Sequence, residues 1–208
     1  MRSYANEMRR RSLRIPFECI SRADRLNAEM LDLLAELGCF RIWIGSESGS
    51  QRILDAMDRG VKIEQVQNAV RMSRERGIQS GMFLMWGYEG EELEDIEATV
   101  KHVSTSRPDI FFTTVSYPIK GTPYYKRIAD RLVQLEPWGK TSDRELTIKG
   151  RHTKRFYAYA DKLLRDEVAR ARMLQDTHTN DLENLTILEQ SIQESRAGLH
   201  STYHEVEQ

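Results

Sequence analysis

The side chains best suited to bind a small molecule lie directly after apolar runs in this sequence. Glu47 and Ser48 follow the run at residues 40–45, and Gly49 comes next. A carboxylate accepts hydrogen bonds from ammonium or hydroxyl groups, and a serine hydroxyl either donates or accepts them. A glycine lets the backbone approach a ligand closely. The segment is therefore a candidate binding site, with the alternative that Glu47 and Ser48 only cap the helix that follows.

The residues that most often bind metals are few and poorly spaced. Cys19 and Cys39 stand twenty positions apart, which gives neither a disulfide framework nor a metal motif. His200 and His204 have the i, i+4 spacing of a helical metal site, but they lie in a polar stretch without a third ligand. We therefore predict no metal site and expect both cysteines to be structural thiols.

Four apolar runs alternate with amphipathic stretches over the first 135 residues. The predicted strands are residues 13–20, 40–45, 81–86 and 110–118. The predicted helices are residues 28–37, 50–54, 63–76, 91–106 and 124–135. Asn27 should cap the first of these helices, and Gly38 should end it. This alternation predicts an α/β fold with a parallel sheet, either a barrel or a doubly wound sheet.

In both folds the functional site lies beyond the carboxyl ends of the strands. Those ends correspond to residues 19–24, 45–50, 86–90 and 117–122, and all four contain glycine, serine or ionisable residues. The candidate segment at Glu47 is one of the four. We therefore expect these loops to meet at one edge of the sheet and to form the site together.

The pattern changes after residue 135. Residues 136–151 are polar and rich in turn-forming residues, whereas residues 156–174 have the spacing of a long amphipathic helix. We predict a barrel portion over residues 1–135, followed by a linker and a long helix packed on the barrel over residues 136–176. Residues 177–208 are predicted to be a polar, loosely ordered tail with one loosely docked helix.

The charge balance excludes two classes of partner. Lysine and arginine number 31 against 32 aspartate and glutamate, a net charge of −1, so no bulk attraction to nucleic acid or anionic lipid is expected. No run of apolar residues is long enough for a membrane span. The first residues are basic but have no apolar core, unlike a secretory signal. We expect a cytoplasmic protein that acts on a small molecule.

Five segments, in order, resemble the radical S-adenosylmethionine (SAM) family. Residues 44–54, IGSESGSQRIL, are similar to its IGxESGSQRIL segment. Residues 17–24 resemble an aromatic-x-C-x-x-R-x-D strand tip, and residues 54–60 resemble an LxxMxKG turn. Residues 77–91 resemble a strand with a GxPGE loop, and residues 117–125 resemble a YPxPGTPLY strand. More narrowly, the chain resembles the branch that carries an N-terminal cobalamin-binding domain and includes the anaerobic magnesium-protoporphyrin monomethyl ester cyclases.

The resemblance implies a partial (β/α) barrel, with about four parallel strands of a six-strand barrel, and a C-terminal helical extension. It also implies SAM as the cofactor, with a binding track formed by Arg22, Glu47, Ser48, Gly49, Met85, Gly87 and Tyr117. Glu47 would accept hydrogen bonds from the cofactor's ammonium group or ribose hydroxyls. Met85 and Trp86 would face its adenine, unless they belong only to the core.

Two positions depart from the family pattern. Tyr88 and Glu89 stand where the GxPGE loop has an apolar residue and a proline. Lys120 stands where the last segment has the proline before Gly121 and Thr122. Both substitutions change the chemistry of loops that would lie on the substrate side of the site.

The family's radical chemistry begins at a 4Fe–4S cluster held by a C-x3-C-x2-C loop. Two cysteines cannot form that loop, so we expect a fragment or split part of an enzyme for methyl transfer or ring cyclisation, inactive alone. An N-terminal half, with the cluster and a cobalamin domain where one is present, would act in cis or in trans. The strand at residues 13–20 would then be an exposed edge.

Two other interpretations stay open. One is a degenerate remnant that binds SAM or a nucleotide without redox chemistry. The other is an α/β binding protein whose likeness to the family arises by chance. Binding of SAM, and a C-x3-C-x2-C reading frame upstream of Met1, would distinguish them.

Overall fold

A sheet of four parallel strands organises the molecule. The computed structural model describes residues 1–133, 146–175 and 181–208. The strands lie side by side in chain order and are β1 (Phe17–Ser21), β2 (Cys39–Glu47), β3 (Gln79–Trp86) and β4 (Ile110–Val115). All three neighbouring pairs are parallel. The predicted α/β fold and partial barrel are confirmed.

Helices return the chain between the strands, as parallel pairing requires. They are α2 (Ala28–Leu37), α3 (Gln51–Ala56), α4 (Ile63–Arg74) and α5 (Leu93–Ser106). One helix precedes the sheet and three follow it: α1 (Arg2–Arg10), α6 (Pro123–Arg127), α7 (Lys154–Met173) and α8 (Leu182–Thr202).

The ends of α2 agree with the signals in the sequence. The Asn27 side chain accepts a hydrogen bond from the Met30 amide, which satisfies one of the free donors of the first turn. Gly38 follows the last turn with a φ of 98°, a left-handed conformation that glycine adopts without a steric penalty. The next residue begins β2, so the turn at Gly38 sets the direction of that strand.

Three predicted elements differ from the structure, and one of them is the strand predicted over residues 110–118, which ends at Val115. β1 begins at Phe17 rather than at residue 13, because Pro16 has no N–H to donate to a neighbouring strand. The α-helix predicted over residues 124–135 ends at Arg127, so the prediction is wrong for residues 128–133; residues 134 and 135 lie outside the described residues. A short strand, β5 (Leu132–Val133), pairs antiparallel with β6 (Thr147–Ile148). That pairing joins distant segments, so local spacing does not reveal it.

One face of the sheet packs on the helices and forms the core. Side chains of β2 and β3 alternate between the two faces, as strand geometry requires. Those on the helix side are buried and apolar, and they include Ile42, Ile44, Met82, Leu84 and Trp86. This face holds the strands in place and leaves the other face available.

The other face carries an aromatic stack. The Trp43 ring lies 4.9 Å from the Phe83 ring and 5.2 Å from the Phe112 ring, with nearly parallel planes. Phe112 is 52% exposed and Ile20, on β1, is 73% exposed. We call the surface of these four side chains the open face. In a closed barrel the same face would line the interior.

The C-terminal helices are packed more closely than the sequence indicates. α7 lies against β4 and α5, with Phe156, Leu163 and Leu164 buried. α8 packs along α7 and buries Ile192 and Leu199. The expectation of a loosely docked helix is therefore corrected for residues 182–202, because polar surface residues masked a narrow apolar stripe.

The predicted division of the chain at residues 135 and 176 stays a prediction. Residues 136–145 of the predicted linker and residues 177–180 of the predicted tail lie outside the described residues. In the parts that are described, no helix is long and apolar enough to cross a membrane.

Candidate functional site

A tight turn ends β2 at the edge of the sheet where the site was predicted. The Ser48 amide donates a hydrogen bond to the Ser46 carbonyl at 2.7 Å, which closes a turn centred on Glu47. Glu47 has a φ of 60°, a left-handed conformation that is uncommon outside glycine. The register between β2 and β3 also shifts between Gly45 and Glu47. Strand β2 therefore ends in a strained loop rather than in a simple helix cap.

The serines of this loop face the helix layer. Ser46 Oγ lies 3.0 Å from His102 Nε2, and Ser48 Oγ lies 3.2 Å from Thr99 Oγ1, both in α5. All four side chains are buried. Burial lowers the pKa of His102 to about 4, so its imidazole is neutral at pH 7. These hydrogen bonds attach the loop to α5 through uncharged groups.

The next residues extend the same attachment. Ser50 Oγ donates to Asp95 Oδ1 at 2.6 Å, and Arg52 forms an ion pair with the other carboxylate oxygen of Asp95. Gly49 donates its amide to Thr99 Oγ1 at 2.9 Å. A Cβ at Gly49 would lie 2.4 Å from the Thr99 Cα, so only glycine fits there. Ser48 and Gly49 thus hold the loop on α5.

Glu47 lies on the other side of the loop. Arg59 Nη2 donates to Glu47 Oε1 at 2.7 Å. A Cβ at Gly45 would lie 3.0 Å from that oxygen and 3.1 Å from Arg59 Nη2. Because Gly45 and Trp43 share one face of β2, the carboxylate stands above the open face. Burial raises the pKa of Glu47, and the Arg59 charge opposes that rise.

Arg22 approaches the same edge from β1. Its guanidinium forms two hydrogen bonds to the Asp24 carboxylate, at 2.9 and 3.1 Å. Arg22 Nη2 also lies 3.7 Å from the position that a Cβ at Gly60 would occupy, in the turn that carries Arg59. The structure therefore brings Glu47, Arg59 and Arg22 to one side of the sheet edge.

The remaining predicted residues lie along β3 and beyond β4. Met85 is half-buried on the same side of the sheet as Phe83. Trp86 is buried in the core, which was the alternative to its proposed contact with adenine. The Gly87 amide donates to Glu91 Oε2 at 2.6 Å. Tyr117 is half-buried just past β4. These residues border the same edge of the sheet as Glu47.

Two residues of the site were not singled out in the sequence. Arg59 occupies the basic position of the LxxMxKG turn, so its place in that motif was an available signal. His102 lies inside α5, 56 residues after its partner Ser46, and no local pattern marks it. Contacts of that separation follow from the packing of α5 on the sheet.

The cysteines do not fit a 4Fe–4S cluster. Cys19 Sγ, in the middle of β1, and Cys39 Sγ, at the start of β2, lie 3.9 Å apart, and the chain has no third cysteine. Cys39 is buried, and its hydrogen bond with Cys19, together with burial, raises the pKa of its thiol. Within the described residues, no group of three or more histidine, cysteine, aspartate or glutamate side chains could hold a metal ion. Cys39 belongs to the core, and the partly buried Cys19 packs against it.

Residues 3–103 match the family model of the radical SAM superfamily. The chain is 28% identical over 147 residues to an uncharacterized methyltransferase of Pyrococcus horikoshii, covering 70% of this chain and 32% of the relative. It is 24% identical over 104 residues to the anaerobic magnesium-protoporphyrin IX monomethyl ester cyclase of Rubrivivax gelatinosus, covering 50% and 19%. The chain thus spans a third or less of the length of these relatives.

The fold also has a counterpart among solved structures. The cobalamin-dependent SAM radical enzyme OxsB, with aqua-cobalamin bound, superposes with a TM-score of 0.58 and 15% identity. The match covers 94% of this chain and 40% of that protein, so it includes the C-terminal helices. At this identity the likeness concerns the fold alone. The related sequences and the barrel strands agree with the match of residues 3–103 to the radical SAM superfamily.

Proposed function

We propose that this chain forms the SAM-binding and substrate-facing part of a radical SAM enzyme, with Glu47 in contact with the cofactor. The observation that carries the proposal is the turn that places the Glu47 carboxylate above the open face. A left-handed conformation outside glycine costs about 1–3 kcal/mol and is concentrated at functional sites. Ligand binding by the Glu47 carboxylate would explain why this strained conformation is present.

The groups around Glu47 suit the parts of SAM. The carboxylate accepts hydrogen bonds from an ammonium group or from ribose hydroxyls. Arg22 and Arg59 offer N–H donors to a carboxylate, and the half-buried Met85 offers an apolar contact to adenine. Gly87 and Tyr117 would border the ligand at the ends of β3 and β4. Ser48 and Gly49 would not touch the ligand, and they support Glu47 by holding the loop on α5.

The chain's own cysteines cannot bind the cluster, so we propose that cysteines outside these 208 residues hold it, in cis or in trans. Cobalamin, in an enzyme that uses it, would also be bound outside this chain. The open face supports docking of such a part, since further barrel strands would cover Ile20 and Phe112. By itself the chain should not cleave SAM. A cytoplasmic location agrees with two thiols that form no disulfide framework.

The names of the relatives support a reaction class. One is called a methyltransferase and another a monomethyl ester cyclase. We therefore propose methyl transfer or ring cyclisation on a small molecule as the activity of the complete enzyme. The departures at Tyr88, Glu89 and Lys120 lie in loops on the substrate side, where such enzymes differ in specificity.

A second candidate is a remnant that binds SAM or a nucleotide without catalysis. The observation that favours it is the absence of a third cysteine from the sequence. Its binding residues would be those of the first proposal. The two candidates differ in whether a cluster-bearing partner restores chemistry.

Titration of the chain with SAM by isothermal calorimetry tests the binding site. We expect wild type to bind SAM, and Glu47→Gln to bind about tenfold more weakly, because a charge-assisted hydrogen bond contributes about 1.5–3 kcal/mol. Glu75→Gln removes a carboxylate at the exposed end of α4 and should leave the affinity unchanged. Absence of binding to wild type would contradict both candidates. Equal affinity in Glu47→Gln would exclude the proposed contact.

The second experiment tests catalysis. A protein encoded by a C-x3-C-x2-C reading frame upstream of Met1 is reconstituted with its cluster and mixed with this chain and a reductant. We expect 5′-deoxyadenosine from the mixture and none from this chain alone. If the cluster is intact and this chain binds SAM, but no product forms, the non-catalytic candidate replaces the first proposal.

A further inference from the structure

A cavity of about 250 Å³ lies beyond the carboxyl ends of β3 and β4, apart from Glu47. The loop between β3 and α5 forms one wall, and the segment between β6 and α7 forms the other. Its ionisable lining includes Glu91, Tyr124, Arg131, Arg151, His152 and Tyr157. Glu89, Glu92, Tyr88, Ile148 and three glycines complete the lining, so the cavity has both polar and apolar walls.

Three buried polar atoms of these residues have no hydrogen-bond partner among the described residues. They are Glu91 Oε1, Arg151 Nε and His152 Nδ1. Buried polar atoms of this kind are rare in folded proteins, because each costs about 1–3 kcal/mol if it stays unpaired. Glu91 is 8% exposed, and its other oxygen accepts the Gly87 amide. A ligand in the cavity would supply partners that the protein does not.

The charges around the cavity favour an anion. Arg131 is already paired with Glu89 at 3.0 Å. In contrast, Arg151 donates only to the Ser116 carbonyl and has no carboxylate within ion-pair distance among the described residues. The first turns of α5 and α7 also begin beside the cavity, just after Glu91 and His152, and the amino ends of helices attract negative charge.

Of the three glutamates that line the cavity, Glu89 is paired with Arg131, and the buried Glu91 does not repel an anion. Burial raises the pKa of Glu91 to about 8, with the nearby Asp95 carboxylate raising it further and the Gly87 amide and Arg52 opposing. Burial likewise raises the pKa of Tyr157 and lowers that of His152. At pH 7 Glu91 and Tyr157 therefore keep their protons and can donate hydrogen bonds.

We propose that this cavity binds the carboxylate of a small organic acid, with Arg151 Nε and the Glu91 carboxyl group as hydrogen-bond donors. The organic part would lie against Tyr124 and Ile148. A guanidinium and a carboxylic acid together discriminate a carboxylate from its neutral amide, because both groups donate. The site does not involve Glu47 and does not require the 4Fe–4S cluster.

Calorimetry on the 208-residue chain at pH 7 tests the proposal with benzoate, benzamide and inorganic phosphate. We expect benzoate to bind, and benzamide and phosphate to bind about tenfold more weakly or not at all. No binding of benzoate up to about 10 mM would overturn the site. Benzamide or phosphate binding as tightly as benzoate would overturn the ligand class.

Substitutions in the cavity test which side chains donate hydrogen bonds to the carboxylate. Arg151→Gln should weaken benzoate binding about tenfold to a hundredfold, whereas Arg155→Gln, which removes an exposed cation of α7, should not change it. If Arg151→Gln unfolds, Arg151→Lys keeps the charge without the Nε donor and should still weaken binding. Glu91→Gln keeps a hydrogen-bond donor, so its affinity for benzoate should lie within about threefold of the wild-type value. Glu91→Leu has no donor, and its affinity should fall by more than about threefold. Unchanged affinity in either Arg151 variant would contradict the proposal.

Discussion

At the scale of single residues, the segment from Ser46 to Ser50 divides its side chains between two tasks. Three serines are hydrogen-bonded to α5, while Glu47 alone lies above the open face. The division follows from strand alternation and from the left-handed turn at Glu47. The sequence marked all these residues as one polar segment, and the structure separates a binding candidate from its support.

Gly49→Ala tests the support. The added Cβ would lie 2.4 Å from the Thr99 Cα and 2.6 Å from the Ala98 carbonyl oxygen, which are backbone atoms that cannot move aside. We expect the free energy of unfolding, from urea denaturation, to fall by about 1–3 kcal/mol. Gly77→Ala is the control, since a Cβ there meets nothing within 4 Å and only its φ of 68° opposes alanine, at about 1 kcal/mol.

Glu91 gives the stability a dependence on pH. Its folded pKa, about 8, lies above the ordinary glutamate value of 4.5, so the folded state holds a proton that the unfolded state loses. Stability from this group is full below pH 4.5 and is lost as the pH rises toward 8. His102 has the opposite effect, since its pKa of about 4 makes the folded state lose stability below pH 6.5. Between pH 4.5 and 6.5 the two groups therefore change the free energy of unfolding in opposite directions.

Between pH 6.5 and 8 only Glu91 of this pair still changes. We expect the free energy of unfolding to fall by about 2 kcal/mol over that range. Glu91→Gln should abolish this fall and leave the decline at acid pH that His102 causes. Urea denaturation at half-unit pH steps measures both. A wild-type profile that is flat above pH 6.5 would show that Glu91 is ionised in the folded state.

At the scale of elements, spacing predicted the helices that have a wide apolar face and missed the narrow ones. α2, α4 and α5 begin and end within a few residues of their predicted positions, because caps and 3.6-residue periodicity are local. β5, β6 and the packing of α8 depend on partners far along the chain. Local patterns carry no information about those partners.

A pair of isoleucines in α8 tests whether that helix is docked. Ile192 is buried against the core, whereas Ile187 is 56% exposed. Ile192→Ala should lower the free energy of unfolding by about 2–4 kcal/mol, and Ile187→Ala by less than about 0.5 kcal/mol. Both substitutions change helix propensity equally. Similar small effects in urea denaturation would mean that α8 contributes little to the folded core.

At the scale of the whole molecule, the open face is an apolar surface that the described part of the chain leaves partly exposed. Ile20 and Phe112 are exposed on it, beside the Trp43 and Phe83 rings. Contiguous apolar patches of this kind mark interaction surfaces or cause association. The double substitution Ile20→Lys and Phe112→Lys should therefore increase the monomer fraction in sedimentation velocity.

Ile20→Lys should cost little stability because Ile20 is 73% exposed, whereas Phe112→Lys also removes the stacked contact with Trp43, which contributes about 0.5–1.5 kcal/mol. Ile187→Lys, at an exposed position on α8, is the matched control and should not change the association state. A wild-type chain that is monomeric at high concentration would contradict the prediction. Loss of docking of a cluster-bearing partner in the double variant would support the partner proposal as well.

The sequence by itself predicted the order of strands and helices, the edge of the candidate site and the likeness to the radical SAM family, and it contains no third cysteine. These properties follow from residue types and local spacing. The tertiary structure alone decided that Glu47 pairs with Arg59, that Ser46 meets His102 and that Glu91 and Arg151 share a cavity. Each of these contacts joins segments that are far apart in the sequence. A sequence pattern gives the spacing of residues along the chain, whereas a contact depends on the direction in which each side chain points once the strands and helices have packed.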